Sequence, residues 1–208
     1  MKSLLVINSS AAREGSVSRT LVEEAVARFL EVNPFAEVVR RDLGTSPVPH
    51  LMVETLAGVR GVPSTAAEHH ARALSNELIE ELRAADTIVI GAPMYNFGVT
   101  TSLRAWFDHV LRAGETFSYS EAGPKGLLPG KRVIVIESRG GLYSEGPAQA
   151  VDFQEPYLRH LLGYIGITDV TFVRAEKIGY GPEARAASLA QARVQIADLA
   201  SPRLANAA

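Results

Sequence analysis

The chain has 208 residues, of which 47% are hydrophobic and 21% are charged, a balance typical of a soluble globular protein with a sizeable core. Its formal net charge of −2 argues against the basic surface of a nucleic-acid-binding protein and the strong acidity of an electrostatic docking carrier. It contains no cysteine, which excludes disulfides, thiolate nucleophiles, iron–sulfur clusters and cysteine zinc sites.

The unbroken aliphatic runs are too short to cross a membrane. The longest have four residues, at Leu4–Ile7 and Val133–Ile136, whereas a transmembrane helix needs about 20 apolar residues. The amino-terminal segment carries Lys2 but no apolar stretch of signal-peptide length. We therefore expect a cytoplasmic protein that associates with neither membranes nor nucleic acid.

Five short apolar runs, each bounded by turn-forming residues, predict strands. Four of them are almost continuously β-branched or aliphatic, which is typical of strands buried on both faces of a parallel sheet. The runs are Leu4–Ile7, Val38–Val39 leading to Leu43, Thr87–Ile90, Val133–Ile136 and Val170–Val173.

Five other stretches place apolar residues at helical spacing. The second is preceded by Thr65 and Glu68 at the spacing of a capping box. We expect the third to end at Gly114, because glycine is a common residue just beyond a helix. The stretches are Leu21–Leu30, Ala71–Leu82, Leu103–Leu111, Leu158–Ile165 and a weak, alanine-rich one from Pro182 onward.

This alternation of strands and helices predicts the α/β class, a parallel sheet with helices on both faces. Five strands favour a doubly wound sheet in the order 2-1-3-4-5 over a barrel, which needs eight. We expect residues 1–208 to form a single domain whose end frays after about residue 201. The connections Gly44–Ser64 and Gly114–Gly130 are longer than a minimal unit requires, and such loops are usually functional.

In the order 2-1-3-4-5, the first, third and fourth strands are neighbours. The loops at their carboxyl ends meet at the switch point where such sheets bind ligands. These three loops carry the most unusual residues of the chain, namely Asn8–Ser10 with Gly15–Arg19, then Pro93–Gly98, and then Ser138–Gly141.

The first loop places hydroxyl groups at Ser9, Ser10, Ser16 and Ser18 around Gly15, where a helix is expected to begin. A helix N-terminus offers unpaired N–H groups and a partial positive charge, so this pattern favours a phosphate site. The alternative is that Ser16 or Ser18 only caps the helix. The chain has neither a Gly-x-Gly-x-x-Gly nor a Gly-Lys-Ser/Thr motif, which argues against a tightly held dinucleotide and a Walker-type triphosphate.

The second loop surrounds Asn96 with Met94, Tyr95 and Phe97. Large apolar side chains with one amide suit a flat heteroaromatic ligand that is both stacked and hydrogen-bonded. In the third loop, the tandem glycines of Ser138–Gly141 allow the backbone to approach a ligand closely, although a plain turn would also use them.

Other catalytic patterns are missing from the sequence. His69 and His70 are adjacent on a predicted helix and cannot face one metal ion. There is no Gly-x-Ser-x-Gly elbow of the kind that α/β-hydrolases use. We expect neither a metal site nor hydrolase chemistry.

Four segments of the chain together resemble the FMN-dependent NADH-azoreductase family, in the same order and over about residues 3–200. They are Ile7–Ser10, Ala92–Phe97, Ser138–Gly141 and Gly163–Val170. The resemblance implies a flavodoxin-like fold, tightly but non-covalently bound FMN, and NADH as a transient co-substrate. It also implies planar quinone or azo acceptors and a homodimer.

The resemblance further implies which residues contact the cofactor. The phosphate would be held by Ser10, Ser16, Val17 and Ser18, with Val17 contributing only its backbone N–H. Arg139 or the amides of the two glycines beside it would suit the charge that develops on reduced flavin. Tyr119 and Tyr164 are plausible walls of the acceptor slot, with ordinary packing as the alternative. The residues implied to surround the flavin ring are Met94, Tyr95, Asn96, Phe97, Ser138, Arg139, Gly140 and Gly141.

The implied reaction has two halves that use the same face of the flavin. NADH delivers hydride to flavin N5 and leaves, and the acceptor then takes two electrons, so ping-pong kinetics are expected. One alternative is a flavodoxin-type electron carrier, against which the length and the weak charge of the chain both argue. The other is a non-catalytic member of the fold, whether or not it binds FMN.

Overall fold

The computed structural model describes residues 2–200 and contains a five-stranded parallel sheet. A separate antiparallel hairpin lies between its third and fourth strands along the chain. The strands are β1 (Ser3–Asn8), β2 (Glu37–Asp42), β3 (Thr87–Pro93), the hairpin strands β4 (Phe117–Ser120) and β5 (Gly123–Gly126), β6 (Arg132–Ser138) and β7 (Asp169–Ala175).

The sheet order is β2-β1-β3-β6-β7, and every neighbouring pair is parallel. The predicted parallel α/β architecture is therefore confirmed. The predicted numbering 2-1-3-4-5 differs from the observed one because the hairpin β4–β5 was not predicted. Neither of its strands has the apolar β-branched run that marks the other five, since β4 reads Phe-Ser-Tyr-Ser and β5 reads Gly-Pro-Lys-Gly.

All five predicted helices are present, and a short one, α2, lies within the long connection Gly44–Ser64. Thr65 and Glu68 form the predicted capping box. The third predicted helix ends at Val110, not at Gly114, which lies in the turn that leads into the hairpin. The helices are α1 (Val17–Val32), α2 (Leu56–Arg60), α3 (Ala66–Ala84), α4 (Thr101–Val110), α5 (Glu155–Tyr164) and α6 (Pro182–Ala200).

The helices cover both faces of the sheet. Along β1, Leu4 and Val6 pack against α1 and α6, whereas Leu5 and Ile7 pack against α3, α4 and α5. Successive side chains of a strand point to opposite faces, so a strand covered on both sides has to be apolar throughout. This explains why the strand runs do not alternate with polar residues.

The hairpin packs at the edge of the sheet where the strands begin. Leu128, just beyond β5, donates its N–H to the carbonyl of Ile165 at 2.9 Å, and Ile165 lies between the end of α5 and the start of β7. A Cβ on Gly126 would lie 2.0 Å from the backbone N of Gly166, so only glycine permits this approach. The loops after β1, β3 and β6 lie at the opposite edge of the sheet, where these strands end.

No helix within residues 2–200 is long and apolar enough to cross a membrane. The expected fraying after about residue 201 lies outside the described residues.

Candidate functional site

Three loops meet at the carboxyl edge of the sheet. The parallel register pairs Asn8 of β1 with Gly91 of β3, and Pro93 of β3 with Ser138 of β6. Beyond the strands, the N–H of Met94 donates to the carbonyl of Ser138 at 2.9 Å. The structure thus brings together the loops that sequence reasoning had selected after the first, third and fourth strands of the sheet.

The first loop ends in a cluster of three buried serine hydroxyls at the start of α1. Ser16 is the N-cap, and its Oγ lies 2.9 Å from Ser10 Oγ and 3.3 Å from Ser18 Oγ. Within residues 2–200, Ser10 and Ser18 hydroxyls bond only to Ser16, so the cluster has donor capacity to spare. Val17 is the first helical residue, and the N–H groups of a first turn have no partner inside the helix.

Arg19 holds this loop in shape. Its guanidinium pairs with both carboxylate oxygens of Asp42 at 2.7 Å and donates to the carbonyls of Ser10 (2.7 Å) and Ala12 (3.0 Å). The hydrogen bonds from Arg19 lower the pKa of Asp42 to about 2 despite its partial burial. Because its charge is balanced by Asp42, Arg19 shapes the loop while neutral hydroxyl and N–H donors face the open space. Sequence reasoning missed Asp42, the last residue of β2, which is a strand that carries no motif.

The loop after β3 is a tight turn that presents aromatic side chains. The backbone groups of Tyr95 and Gly98 bond to each other at 3.0 and 3.1 Å. Between them, Asn96 and Phe97 have φ angles of 47° and 70°, a region that a bulky residue such as Phe rarely occupies. Such strain persists only where the surroundings enforce it, often at functional sites. The Tyr95 hydroxyl accepts from the N–H of Ala11 at 3.2 Å, which joins this turn to the first loop.

The loop after β6 supplies two free backbone donors. The carbonyls of Gly140 and Gly141 accept from the N–H groups of Gly179 (2.9 Å) and Lys177 (2.8 Å). The N–H groups of the same two glycines have no acceptor within the described part of the chain. They are therefore available to a ligand, as the tandem glycines predicted.

The side chain of Arg139 does not point into the crevice, which corrects the expectation from the sequence. It is completely buried and lies 2.6 Å from Glu137, 3.0 Å from Asp152 and 3.3 Å from Glu176. A buried guanidinium is stable only where acidic side chains pair with it, and these three partners come from separate segments of the chain. Sequence proximity to the glycines could not reveal that arrangement.

Tyr119 and Tyr164 lie outside the crevice of their own chain. Both rings contact Phe117, at centroid distances of 5.5 and 4.8 Å, in the hairpin region. Tyr164 ends α5 just before β7 begins, and Tyr119 belongs to the hairpin, so both occupy the amino edge of the sheet. Their assignment as walls of the acceptor slot stays a prediction, and it requires a second copy of the chain.

Tyr143 is a crevice residue that the resemblance did not assign to the flavin site. Its ring meets that of Phe97 edge to face, with centroids 6.1 Å apart. A Cβ on Gly141 would lie 3.1 Å from the Tyr143 ring, so the glycine lets the ring fold back over the loop. An aromatic residue two positions after tandem glycines was the available signal.

The donors and surfaces of this crevice fit a phosphate-bearing planar cofactor. Three hydroxyls and the first N–H groups of α1 form an anion cradle without formal charge. The Tyr95–Gly98 turn offers side chains that are about half exposed, 41% for Tyr95 and 48% for Phe97, for contact with a flat ring. The N–H groups of Gly140 and Gly141 face the same region. FMN has the phosphate and the ring that these features require.

Comparison with known proteins identifies the family. The sequence profile of a family with a flavodoxin-like fold matches residues 2–200. The chain belongs to this flavodoxin-like family. Within it, the chain is 68% identical over 200 residues to the FMN-dependent NADH:quinone oxidoreductase of Hyphomonas neptunium, with 96% of each chain covered.

Solved structures of the same fold agree with this assignment. The flavodoxin-like chain is similar to an azoreductase from Bacillus anthracis str. Sterne, with a TM-score of 0.89, 29% identity, and 96% of this chain and 99% of the other covered. It is also similar to an FMN-dependent NADH-azoreductase from Bacillus anthracis str. Ames Ancestor in complex with FMN. That match has a TM-score of 0.88 and 26% identity, and covers 97% of this chain and 98% of the other.

Beneath the crevice of this flavodoxin-like protein, Glu137 is a buried carboxyl group with an unusual pKa. Burial raises its pKa to about 8, although the charge of Arg139 acts in the opposite direction. The nearby carboxylates of Glu155 and Asp152 raise it further. One oxygen of Glu137 bonds to Arg139, and the other has no partner within residues 2–200. At neutral pH the group therefore carries a proton in the folded protein.

We expect Glu137→Gln to stabilise the protein increasingly as the pH rises. Below the ordinary pKa of about 4.5 the glutamate is neutral in both folded and unfolded states, so the two proteins differ little. Between that pH and about pH 8, Glu137 ionises only in the unfolded state of the wild type. This lowers the free energy of unfolding of the wild type but not that of the variant. Denaturant titrations at several pH values across this window measure the difference. A difference that stays constant with pH would contradict the assignment, and the exposed Glu121→Gln serves as the control.

Proposed function

We propose that this chain is an FMN-dependent oxidoreductase that transfers two electrons from NADH to quinones or azo compounds. One observation carries the proposal. The serine cluster at the start of α1, the exposed aromatic turn after β3 and the free amides of Gly140 and Gly141 lie at one edge of the sheet. The names of the related quinone oxidoreductase and azoreductases support the same activity.

The phosphate of FMN would be held by the hydroxyls of Ser10, Ser16 and Ser18 and the backbone N–H of Val17. These donors are neutral, and the dipole of α1 adds a favourable field for a phosphate dianion. Burial of the three hydroxyls removes competing water, which strengthens each hydrogen bond to the anion. The pairing of Arg19 with Asp42 keeps the loop in place without a free cation.

The flavin ring would lie between the loops after β3 and β6. Met94, Tyr95, Asn96 and Phe97 would contact the ring from one loop, and Ser138–Gly141 would approach it from the other. When bound, FMN supplies the redox chemistry by accepting hydride from NADH and passing two electrons to the acceptor. The N–H groups of the glycines would donate to the ring edge where negative charge grows on reduction.

The kinetic mechanism tests whether NADH and the acceptor use the same crevice, as the absence of a separate dinucleotide motif from the sequence suggests. We expect NADH and the acceptor to occupy the crevice in turn, which gives ping-pong kinetics. Steady-state rates measured with NADH varied at several fixed quinone concentrations should give parallel double-reciprocal lines. Intersecting lines together with a demonstrable ternary complex would rule out this scheme.

The same assay separates the alternatives. A protein that binds FMN but does not oxidise NADH in the presence of quinone would favour a flavodoxin-type carrier or a non-catalytic FMN-binding protein. A protein that fails to bind added FMN would favour a non-catalytic member of the fold. A panel of quinones and azo compounds would then show which acceptor class the crevice prefers.

We also propose a twofold homodimer in which each partner completes the other's crevice. Tyr119 is 73% exposed, and both Tyr119 and Tyr164 contact Phe117 in the hairpin region, at the edge of the sheet opposite the crevice. A second copy could place these rings against the open side of the flavin site. The long connection after β2 adds exposed apolar side chains at Val53 and Val62, which a partner could cover.

Light scattering tests this assembly directly. We expect the mass of a dimer at assay concentrations, and we expect Tyr119→Ala to raise the KM for the acceptor without altering FMN affinity. The matched control is Phe35→Ala, another exposed aromatic residue, which lies in the turn between α1 and β2 and outside the hairpin. An active monomer would refute the proposal.

The remaining expectations extend the same proposal. The chain would act as one domain over residues 1–208 in the cytoplasm. Its partners would be NAD(P)H, the planar acceptor and a second copy of itself, with no nucleic acid or membrane involved.

A further inference from the structure

One buried guanidinium, that of Arg139, is bonded to groups that hold two loops of the crevice. One loop carries the ring of Phe97 and the other the ring of Tyr143, and these two rings are called the Phe97 wall and the Tyr143 wall. Arg139 bonds to Gln154 Oε1 at 3.1 Å, to Asp152 at 3.0 Å and to Glu176 at 3.3 Å. Gln154 is buried, as are Asp152 and Glu176 apart from a small exposed fraction. These side chains act on the crevice through the segments to which they are bonded.

Through Glu176, Arg139 holds the Tyr143 wall. One carboxylate oxygen of Glu176 accepts from the N–H of Tyr143 at 2.8 Å and from that of Ser144 at 3.0 Å. The other accepts from the Ser144 hydroxyl. Although burial acts to raise the pKa of Glu176, these bonds and the charge of Arg139 lower it, so the group is an anion. A charged acceptor makes the stronger hydrogen bonds that fix a loop.

Through the segment Asp152–Glu155, Arg139 holds the Phe97 wall. Asp152 caps the start of α5 by accepting from the N–H groups of Gln154 (2.9 Å) and Glu155 (3.1 Å). The Gln154 amide donates to the carbonyl of Ala92 in β3 at 2.8 Å. Between them, the N–H of Phe153 donates to the carbonyl of Phe97 at 3.1 Å. This segment is therefore fixed to β3 and supports the strained turn.

The two walls meet where the rings of Phe97 and Tyr143 touch. Both walls are linked by hydrogen bonds and ion pairs to the guanidinium of Arg139. A shift of either wall would therefore change the space between the two rings, where the acceptor would enter. Removing one partner of a buried ion cluster leaves uncompensated charges that force the loops to rearrange.

We propose that Arg139 is a positioning residue that sets the spacing between the Phe97 and Tyr143 walls, and through it the size of acceptor that the crevice admits. The inference rests on the proposed function for the identity of the acceptor. The spacing itself is a property of the chain without its cofactor.

Amide hydrogen exchange on the cofactor-free protein tests the spacing without enzyme activity. In Arg139→Lys, we expect exchange at Tyr143, Ser144 and Phe153 to accelerate by about tenfold or more, while exchange within β3 and β6 stays unchanged. The matched control is Arg193→Lys, the same substitution at an exposed arginine of α6 that pairs with Glu24 of α1. Unchanged exchange at both walls would overturn the proposal. Equal acceleration throughout the sheet would also overturn it, because that pattern indicates general destabilisation.

Two single-wall variants keep the test decisive if Arg139→Lys does not fold. Glu176→Gln should loosen Tyr143 and Ser144 alone, and Asp152→Asn should loosen Phe153 alone. The same exchange pattern in both variants would mean that the walls are not held separately, and would overturn the proposal.

The acceptor assay then tests the consequence for specificity. With the FMN-loaded protein, the ratio of KM for a bulky azo dye to KM for benzoquinone should change by about fivefold or more in Arg139→Lys or, if that variant does not fold, in Glu176→Gln. The ratio should stay within about twofold of wild type in Arg193→Lys. An unchanged ratio despite loosened walls would overturn the link to acceptor size. A wild type that oxidises no NADH would defeat the proposed function, while the exchange result would still stand.

Discussion

Ser16→Asp is expected to weaken FMN binding by more than about a hundredfold while the fold stays intact. Ser16 is the N-cap of α1 and accepts from the N–H of Arg19. Aspartate caps a helix as well as serine and suits its dipole, so the helix should persist. A carboxylate about 4 Å from the FMN phosphate costs about 4 kcal/mol at an effective dielectric of about 20. At about 1.4 kcal/mol per tenfold, this exceeds two orders of magnitude. Flavin fluorescence titration measures the dissociation constant.

Ser16→Asn is the matched control for this effect. Asparagine caps the helix equally well and has nearly the size of aspartate, but it carries no charge. Comparing the two variants therefore isolates electrostatic repulsion from changes in shape. Equal FMN affinity of the two variants would show that the serine cluster does not hold the phosphate. Ser18 is less suitable for this test because it is completely buried and is not the cap.

Gly44→Ala is expected to destabilise the protein by about 1–3 kcal/mol and to weaken FMN binding as well. A Cβ at position 44 would lie 2.0 Å from the carbonyl oxygen of Ser10 and 2.6 Å from the guanidinium of Arg19. Both contacts are impossible, so the backbone that carries the Ser10 hydroxyl has to move. Denaturant unfolding measures the loss of stability, and the same flavin titration measures the loss of affinity.

Gly163→Ala provides the control for adding one methyl group. Gly163 lies within α5, and a Cβ there would meet nothing within 4 Å. Alanine within a helix is more favourable than glycine by roughly 0.5–1 kcal/mol, so this variant should be slightly more stable than wild type. If Gly44→Ala matched Gly163→Ala in stability and FMN affinity, the close approach at Ser10 would be unimportant.

The architecture, and the sheet edge at which the three unusual loops meet, could be predicted from patterns in the amino-acid sequence. Runs such as Leu4–Ile7 are apolar on both faces, and only a strand covered by helices on both sides tolerates this. Parallel strands bring their carboxyl ends to one edge, so the loops beginning at Asn8, Pro93 and Ser138 had to meet there. The serine cluster and the aromatic turn could also be recognised from the sequence. Hydroxyl groups at the start of a helix and aromatic residues after a buried strand can be identified without knowledge of tertiary contacts.

The surroundings of individual side chains could not be predicted in the same way, because they depend on contacts between distant segments. Arg139 stands next to the glycines in sequence, yet its side chain lies among acidic side chains from β6, from the residue after β7 and from the segment before α5. Tyr119 and Tyr164 join Phe117 at the far edge of the sheet, and Gly44 is required by a carbonyl 34 positions earlier in the chain. The spacing of apolar residues in the sequence indicates which faces of a helix or strand are buried, because each buried face has to be apolar. It does not report which distant segment supplies the neighbouring charge or atom, since that contact exists only after the chain has folded.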